Sequence, residues 1–219
     1  MCCFATSPSP GPHPNQVRIW DSRRCVLLRE LIGVVIGVLY SISWCRDDDS
    51  RLATSSSRGQ VLIWNVEDGI LQQRVQLGLE VAHPQACPVY AVDWAAEHIV
   101  CTTTMGFVAV LRPDGMVMRQ INVPGPSYGV CWHAVDPNLF AAACDDCTVR
   151  VFELRGTRSP LVKNLVGHTK KVFGVLWSPL VHHMLLSSSD DLTVRVWDTL
   201  DNSHKVLSGH THNVRALHW

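Results

Sequence analysis

The residues best suited to chemistry are few. Cys144-Asp-Asp-Cys147 has the CxxC spacing that serves zinc binding and thiol–disulfide exchange. A zinc ion needs two further ligands, and the chain has no second CxxC and no HxxxH to supply them. His182-His183 and Asp47-Asp48-Asp49 are the other clusters with metal-ligating donors, but both fall in polar turns, where solvated side chains account for them. No phosphate-cradling glycine loop or HExxH pair occurs. The expectation is therefore a protein without a catalytic set, a metal or a cofactor.

Tryptophan supplies the frame that must position these residues. Five of the eight close an apolar phrase at 44, 94, 132, 177 and 219, and three close a second phrase at 20, 64 and 197. Leu111 and Phe152 hold the second position in two further copies. The first series steps by 50, 38, 45 and 42 residues and the second by 44, 47, 41 and 45. A period of that length, made of short β-branched runs between Gly, Asp and Pro turns, specifies repetition of one small β unit. Each unit reads as four strands, here a to d. A phrase ending in Trp comes first, then a small-residue strand such as Leu139–Cys144, then a phrase such as Val194–Trp197, then a polar outer strand such as Met116–Val123. No segment keeps a helical period over three turns.

Composition narrows the function classes. Hydrophobic residues make up 47% of the chain against 17% charged, enough for a core and against disorder. The formal charge is zero, with 8 basic and 10 acidic residues up to position 109, so no basic arm exists to neutralise phosphates. The longest apolar run, Leu31 to Trp44, is shorter than a membrane span of about 20 residues and reads as strand. Nine cysteines at irregular spacing, several within strand phrases, fit reduced thiols in the cytoplasm or nucleus. Cys2 and Cys3 lack the basic cluster that would accompany a lipid anchor.

Gly167-His-Thr-Lys-Lys-Val-Phe-Gly-Val-Leu-Trp177, followed by Ser187-Ser-Ser-Asp-Asp191-Leu-Thr-Val-Arg-Val-Trp197-Asp198, resembles the WD-repeat family, and the resemblance covers essentially the whole chain. It implies an all-β propeller of four-stranded blades. It also implies one hydrogen-bonded structural network in the best blade, made by His168, Ser187, Asp191 and Trp197. The other units depart from the pattern. The unit around Trp132 keeps Asp146 but carries Ala142 and Phe152; the unit around Trp94 has His83-Pro84 out of register, with Met105 and Leu111; the unit around Trp44 has Arg58 where the Asp should be. On this reading residues 1–219 are one propeller segment. Its complete blades lie at about 34–78, 87–123, 127–166 and 169–208, with parts of a further blade at 4–31 and 214–219. Strands b, c and d of that blade open the chain and a lone strand a closes it, as expected of a piece of a longer propeller; closure as five blades is the alternative.

One register then stands out for binding. Four residues before each first-series Trp stand Tyr40, Tyr90, Tyr128, Phe173 and Arg215, and these three tyrosines are the only ones in the chain. In the family this position lies near the narrow top opening, where Tyr and Arg suit partner hot spots and equally suit packing of the central channel. Lys170 and Lys171 flank Phe173. The expected function is a non-catalytic scaffold for other proteins or peptides within a multiprotein complex, with no membrane partner. Competing readings are a metal or thiol redox module at Cys144 and Cys147, and a propeller that reads histones or nucleic acid.

Overall fold

A computed structural model describes residues 3–6, 16–32, 37–78, 87–155 and 160–219, and shows no helix among them. Cys2, His83 and Pro84, the side chain of Cys3 and position 34 lie outside that description. A first sheet has three strands, β1 (Cys3–Thr6), β2 (Gln16–Asp21) and β3 (Val26–Ile32), in sequence order. Four sheets of four strands follow, each pairing every strand with its neighbour in sequence. The second is β4 (Leu39–Cys45), β5 (Asp48–Ser56), β6 (Gln60–Asn65) and β7 (Ile70–Gln76). The third is β8 (Val89–Ala95), β9 (His98–Thr103), β10 (Phe107–Leu111) and β11 (Val117–Asn122). The fourth is β12 (Ser127–Trp132), β13 (Leu139–Cys144), β14 (Thr148–Glu153) and β15 (Leu161–Val166). The fifth is β16 (Val172–Trp177), β17 (Met184–Ser189), β18 (Val194–Asp198) and β19 (His204–Leu207). The fold is all-β, a series of propeller-type blades.

Two compact units emerge, Met1–Cys101 with Val110–Met118, and Thr102–Ala109 with Arg119–Trp219. In each, the core lies between successive sheets. Val17, Ile19 and Leu31 of the first sheet pack with Leu39, Leu52, Leu62 and Trp64 of the second. Ala141, Val149 and Val151 of the fourth pack with Val175, Trp177, Leu185 and Trp197 of the fifth. Strands within these packed sheets are buried, β6 and β14 without a break up to their last residue. The outer strands β7, β11, β15 and β19 are mostly exposed, matching their polarity.

Strand a is the crowded element. In β4, β12 and β16 the register with strand b shifts by one residue, passing from Leu39 to Ser41, from Ser127 to Gly129 and from Val172 to Gly174, so that Tyr40, Tyr128 and Phe173 are the bulged residues. Such a bulge bends the strand and re-aims the extra side chain. The residue after the bulge is small because a neighbouring strand a passes beside it. A Cβ at Gly129 would collide with the carbonyl oxygen of Phe173 in β16. Between β4 and β8, Ser41 Oγ accepts from Val92 N at 3.3 Å and Ser43 Oγ accepts from Trp94 N at 3.0 Å, so serine hydroxyls replace a backbone ladder.

Two expectations change here. The polar turn expected to hold Asp47-Asp48-Asp49 is confined to Arg46 and Asp47, because β5 starts at Asp48 and a bulge at Trp44/Cys45 absorbs the extra length. Val214–Trp219 is not a strand. A strand a gets its ladder from its own strand b, and none pairs with this segment; it lies along the fifth sheet instead. Val214 N donates to Ser189 O at 3.4 Å and Trp219 Nε1 to Leu176 O at 3.4 Å. The close approach of β12 and β16 gives a direct test. Gly129→Ala should lower stability by about 1–3 kcal/mol, seen as a lower urea midpoint with an unchanged slope.

Candidate site at the strand-a bulges

The bulges turn their rings to the ends of the sheets where the b–c turns lie, and there the rings pair. In the first unit Tyr40 stacks on Tyr90 with centroids 4.8 Å apart and planes 9° from parallel; Tyr40 is 43% exposed. In the second unit Tyr128 stacks on Phe173 at 4.6 Å. Lys171 Nζ stands 5.8 Å from the Tyr128 ring and the Arg215 guanidinium 4.2 Å from the Phe173 ring, so this pair lies between two cations. Lys170 is exposed, and its backbone oxygen accepts from Ser189 Oγ at 3.1 Å. The seven residues therefore form one group of two rings and one of five residues.

Acids tie the second group down. Tyr128 OH donates to Asp145 Oδ1 at 2.7 Å, and Lys171 Nζ reaches the same oxygen at 2.7 Å. Arg215 pairs with Asp190 at 3.8 Å. The Lys171 ammonium, then the Tyr128 hydroxyl, hold the Asp145 carboxyl below its usual range. Burial, then the bond to Asp145, pushes the Tyr128 phenol up. Tyr40 is also raised, by burial and by Tyr90. Both tyrosines are thus neutral hydrogen-bonding groups at neutral pH. Asp145 and Asp190 were not singled out from sequence, although a signal existed. Asp145-Asp146 and Asp190-Asp191 are doublets in successive b–c turns, and in each the first acid serves the rim while the second serves the interior.

The second acids anchor the sheets. Asp191 Oδ2 lies 2.7 Å from His168 Nδ1, His168 Nε2 lies 2.7 Å from Ser187 Oγ, and Trp197 Nε1 donates to Ser187 Oγ at 2.8 Å. A neutral imidazole carrying its proton on Nδ1 satisfies every link, with the Ser187 hydroxyl donating to Nε2. Burial lowers the His168 pKa despite Asp191. Against its own burial, bonds from Thr193 and His168 hold Asp191 far below the usual carboxylate range. In the fourth sheet no histidine faces Asp146; Arg150 takes that place, with Nη1 at 3.0 Å and Thr148 Oγ1 at 2.7 Å. The second sheet keeps the last link alone, Trp64 Nε1 donating to Thr54 Oγ1 at 3.1 Å.

The remaining donors are engaged locally. Cys144 is buried 3.6 Å from Ser127 Oγ, and Cys147, at φ 66° in the b–c turn, points to Asp145 O. Burial raises both thiol pKa values, with Asp146 adding to the rise at Cys147, so neither is an activated thiolate. His182 O accepts from His133 Nε2 at 2.8 Å and His183 O from Thr199 Oγ1 at 2.8 Å. Asp48 Oδ1 accepts from Ser50 N and Oγ. Among the described residues no three His, Cys, Asp or Glu are grouped to hold a metal ion, and no helix is long and apolar enough to cross a membrane.

Comparison with known proteins places the same repeats. Residues 122–153 and 159–198 match the family model described as WD domain, G-beta repeat. The chain is also similar to the DDB1- and CUL4-associated factor 7 homolog of Dictyostelium discoideum, 28% identical over 170 residues, which is 72% of this chain and 50% of that protein. The chain thus spans about half the length of this curated relative.

Two measurements test the polar wiring. The folded state binds a proton at His168 less readily than the unfolded chain, so this contribution to stability is complete above about pH 6.5 and shrinks as pH falls toward the lowered folded pKa. His168→Ala should therefore be less stable than the parent at pH 7.5, and the gap between their urea midpoints should narrow by pH 5. In native thiol titration, exposed Cys25 should react well before Cys144 and Cys147.

Proposed function

Since the chain belongs to the WD-repeat family, we propose that it is a non-catalytic scaffold for protein–protein contacts and that partners bind at the strand-a bulges. The observation that carries the reading is the placement of Tyr40, Tyr90, Tyr128 and Phe173 as stacked rings at the b–c ends of their sheets. A stacked ring is already ordered, so a partner that covers it meets little of the entropy cost of fixing a side chain. Lys170, Lys171 and Arg215 add donors beside the second pair, and Asp145 and Asp190 fix two of them in place.

The relative is named for association with DDB1 and CUL4, and a place in an assembly of that general kind is part of the proposal. So is the view that the chain works within a larger multi-blade protein, and that Met105–Gly115 and Cys144–Phe152 resemble WD repeat-containing protein 17. A non-enzymatic role fits the raised thiols of Cys144 and Cys147 and the structural engagement of His168, Ser187 and Asp191.

Simultaneous replacement of Tyr40, Tyr90 and Tyr128 by alanine should cut recovery of co-purifying partners at least about tenfold while the far-ultraviolet spectrum and urea midpoint stay near those of the parent. Undiminished recovery from a folded triple variant would reject these bulges as the binding surface.

A further inference from the structure

A groove of about 950 Å³ lies in the first unit, at the other end of the second sheet from Tyr40. The register fixes that placement: Leu39 pairs with Ser56 at one end, and Arg51 with Asn65 at the other. One wall is the start of β7, from Ile70 to Gln73; the other is the turn between β10 and β11 with Met118 beyond it. Gly115 makes the walls meet. At φ +88°, a Cβ there would stand 3.0 Å from Val75 Cγ2, so only glycine lets the turn seat on β7.

Arg51 opens into this groove with its hydrogen-bonding capacity unused. Its guanidinium lies 4.9 Å from the centroid of the Trp94 ring, a cation–π contact that helps to position it. Its one ion pair, to Asp48, is long at 4.0 Å, and its buried Nε has no hydrogen-bond partner. Asp48 does not come closer because its other oxygen is taken by Ser50 N at 2.9 Å and Ser50 Oγ at 2.6 Å. The second arginine differs: Arg112 pairs with Asp114 at 3.6 Å, and Asp114 also caps Met116 N at 3.0 Å. Glu97, exposed on the rim, disfavours a second acid nearby. The lining is otherwise largely polar, with one accessible apolar side chain on each wall, Ile70 at 59% and Met118 at 50% exposed.

We propose that this groove binds an extended segment of a partner protein that presents one aspartate or glutamate to the Arg51 fork and apolar side chains to Ile70 and Met118. The fork is planar, held in advance by Trp94, and matched to a carboxylate. This surface is separate from the ring pairs, so the two can be tested independently.

The probes are the peptides acetyl-Leu-Glu-Leu-amide and acetyl-Leu-Gln-Leu-amide, titrated into the whole chain while the Arg51 Nε–H and the Ile70 and Met118 methyl signals are followed by NMR. The Glu peptide should shift all three, saturating at roughly tenfold lower concentration than the Gln peptide. Arg51→Met should abolish that preference and Arg51→Lys should retain part of it, while Tyr40→Ala leaves it intact. Equal titration by the two peptides would overturn the proposal, as would shifts that miss Arg51, Ile70 and Met118. So would sodium acetate acting as well as the Glu peptide, since that marks a bare anion site with no role for the groove walls.

Discussion

The rest of the structure depends on how closely the innermost strands of neighbouring sheets approach. Where β12 runs beside β16, and β4 beside β8, no room remains for an ordinary side chain facing the neighbour. The chain answers with one small residue per unit, Ser41, Ala91, Gly129, Gly174 and Ala216, always three before the Trp. Directly before it sits the bulged residue, excluded from the ladder. The close approach and the extruded ring are two consequences of one constraint: a strand pressed against its neighbour sheds its surplus residue toward the open end. The rings then stack because their strands are close. The placement of the rings therefore follows from the packing rule and needs no separate device.

Polar groups buried around the strand-c position call for partners, and the second, fourth and fifth sheets supply them with different residues. The fifth uses Trp197, Ser187, His168 and Asp191 in series. The fourth has Phe152 at the indole position, so no N–H needs an acceptor there, and its remaining acid, Asp146, takes Arg150. The second retains the indole and gives it Thr54. What persists is the requirement that a buried donor finds an acceptor, at about 0.5–1.5 kcal/mol net for each bond made and more for one left unmade. A sheet without the histidine therefore still forms, because the groups at this position bond to one another or to other residues.

Much of the fold was legible in the sequence because tryptophan marks two strands of the unit and the spacing is regular. The register that placed every tyrosine at one position came from the same signal. The sequence left three things out, each for a physical reason. The bulge at Tyr40, Tyr128 and Phe173 is a pairing property, visible only once the strand-b partner is known. The pairing of Arg150 with Asp146 depends on side-chain reach, since the long stem lets the guanidinium travel four residues back along the chain. Val214–Trp219 carries a strand-a phrase, but a phrase gives only propensity; without strand b there is no ladder to convert it into a strand.

The acid doublets of two b–c turns show how one short phrase serves both the interior and the rim. In Asp145-Asp146 and Asp190-Asp191 successive side chains leave the turn in different directions, so one reaches the rim and the other the interior. Asp191 is held by Thr193, His168 and Thr169, and Asp146 by Arg150 and Thr148. With the second acid fixed, the backbone of the turn is fixed, and the first acid holds its rim cation without an ordering cost of its own. Lys171 belongs to the fifth sheet and Asp145 to the fourth, so this pair also links neighbouring sheets at the end where the rings emerge. Exposed ion pairs of this kind contribute little to stability. Their effect is positional: they set where Lys171 and Arg215 stand over the rings.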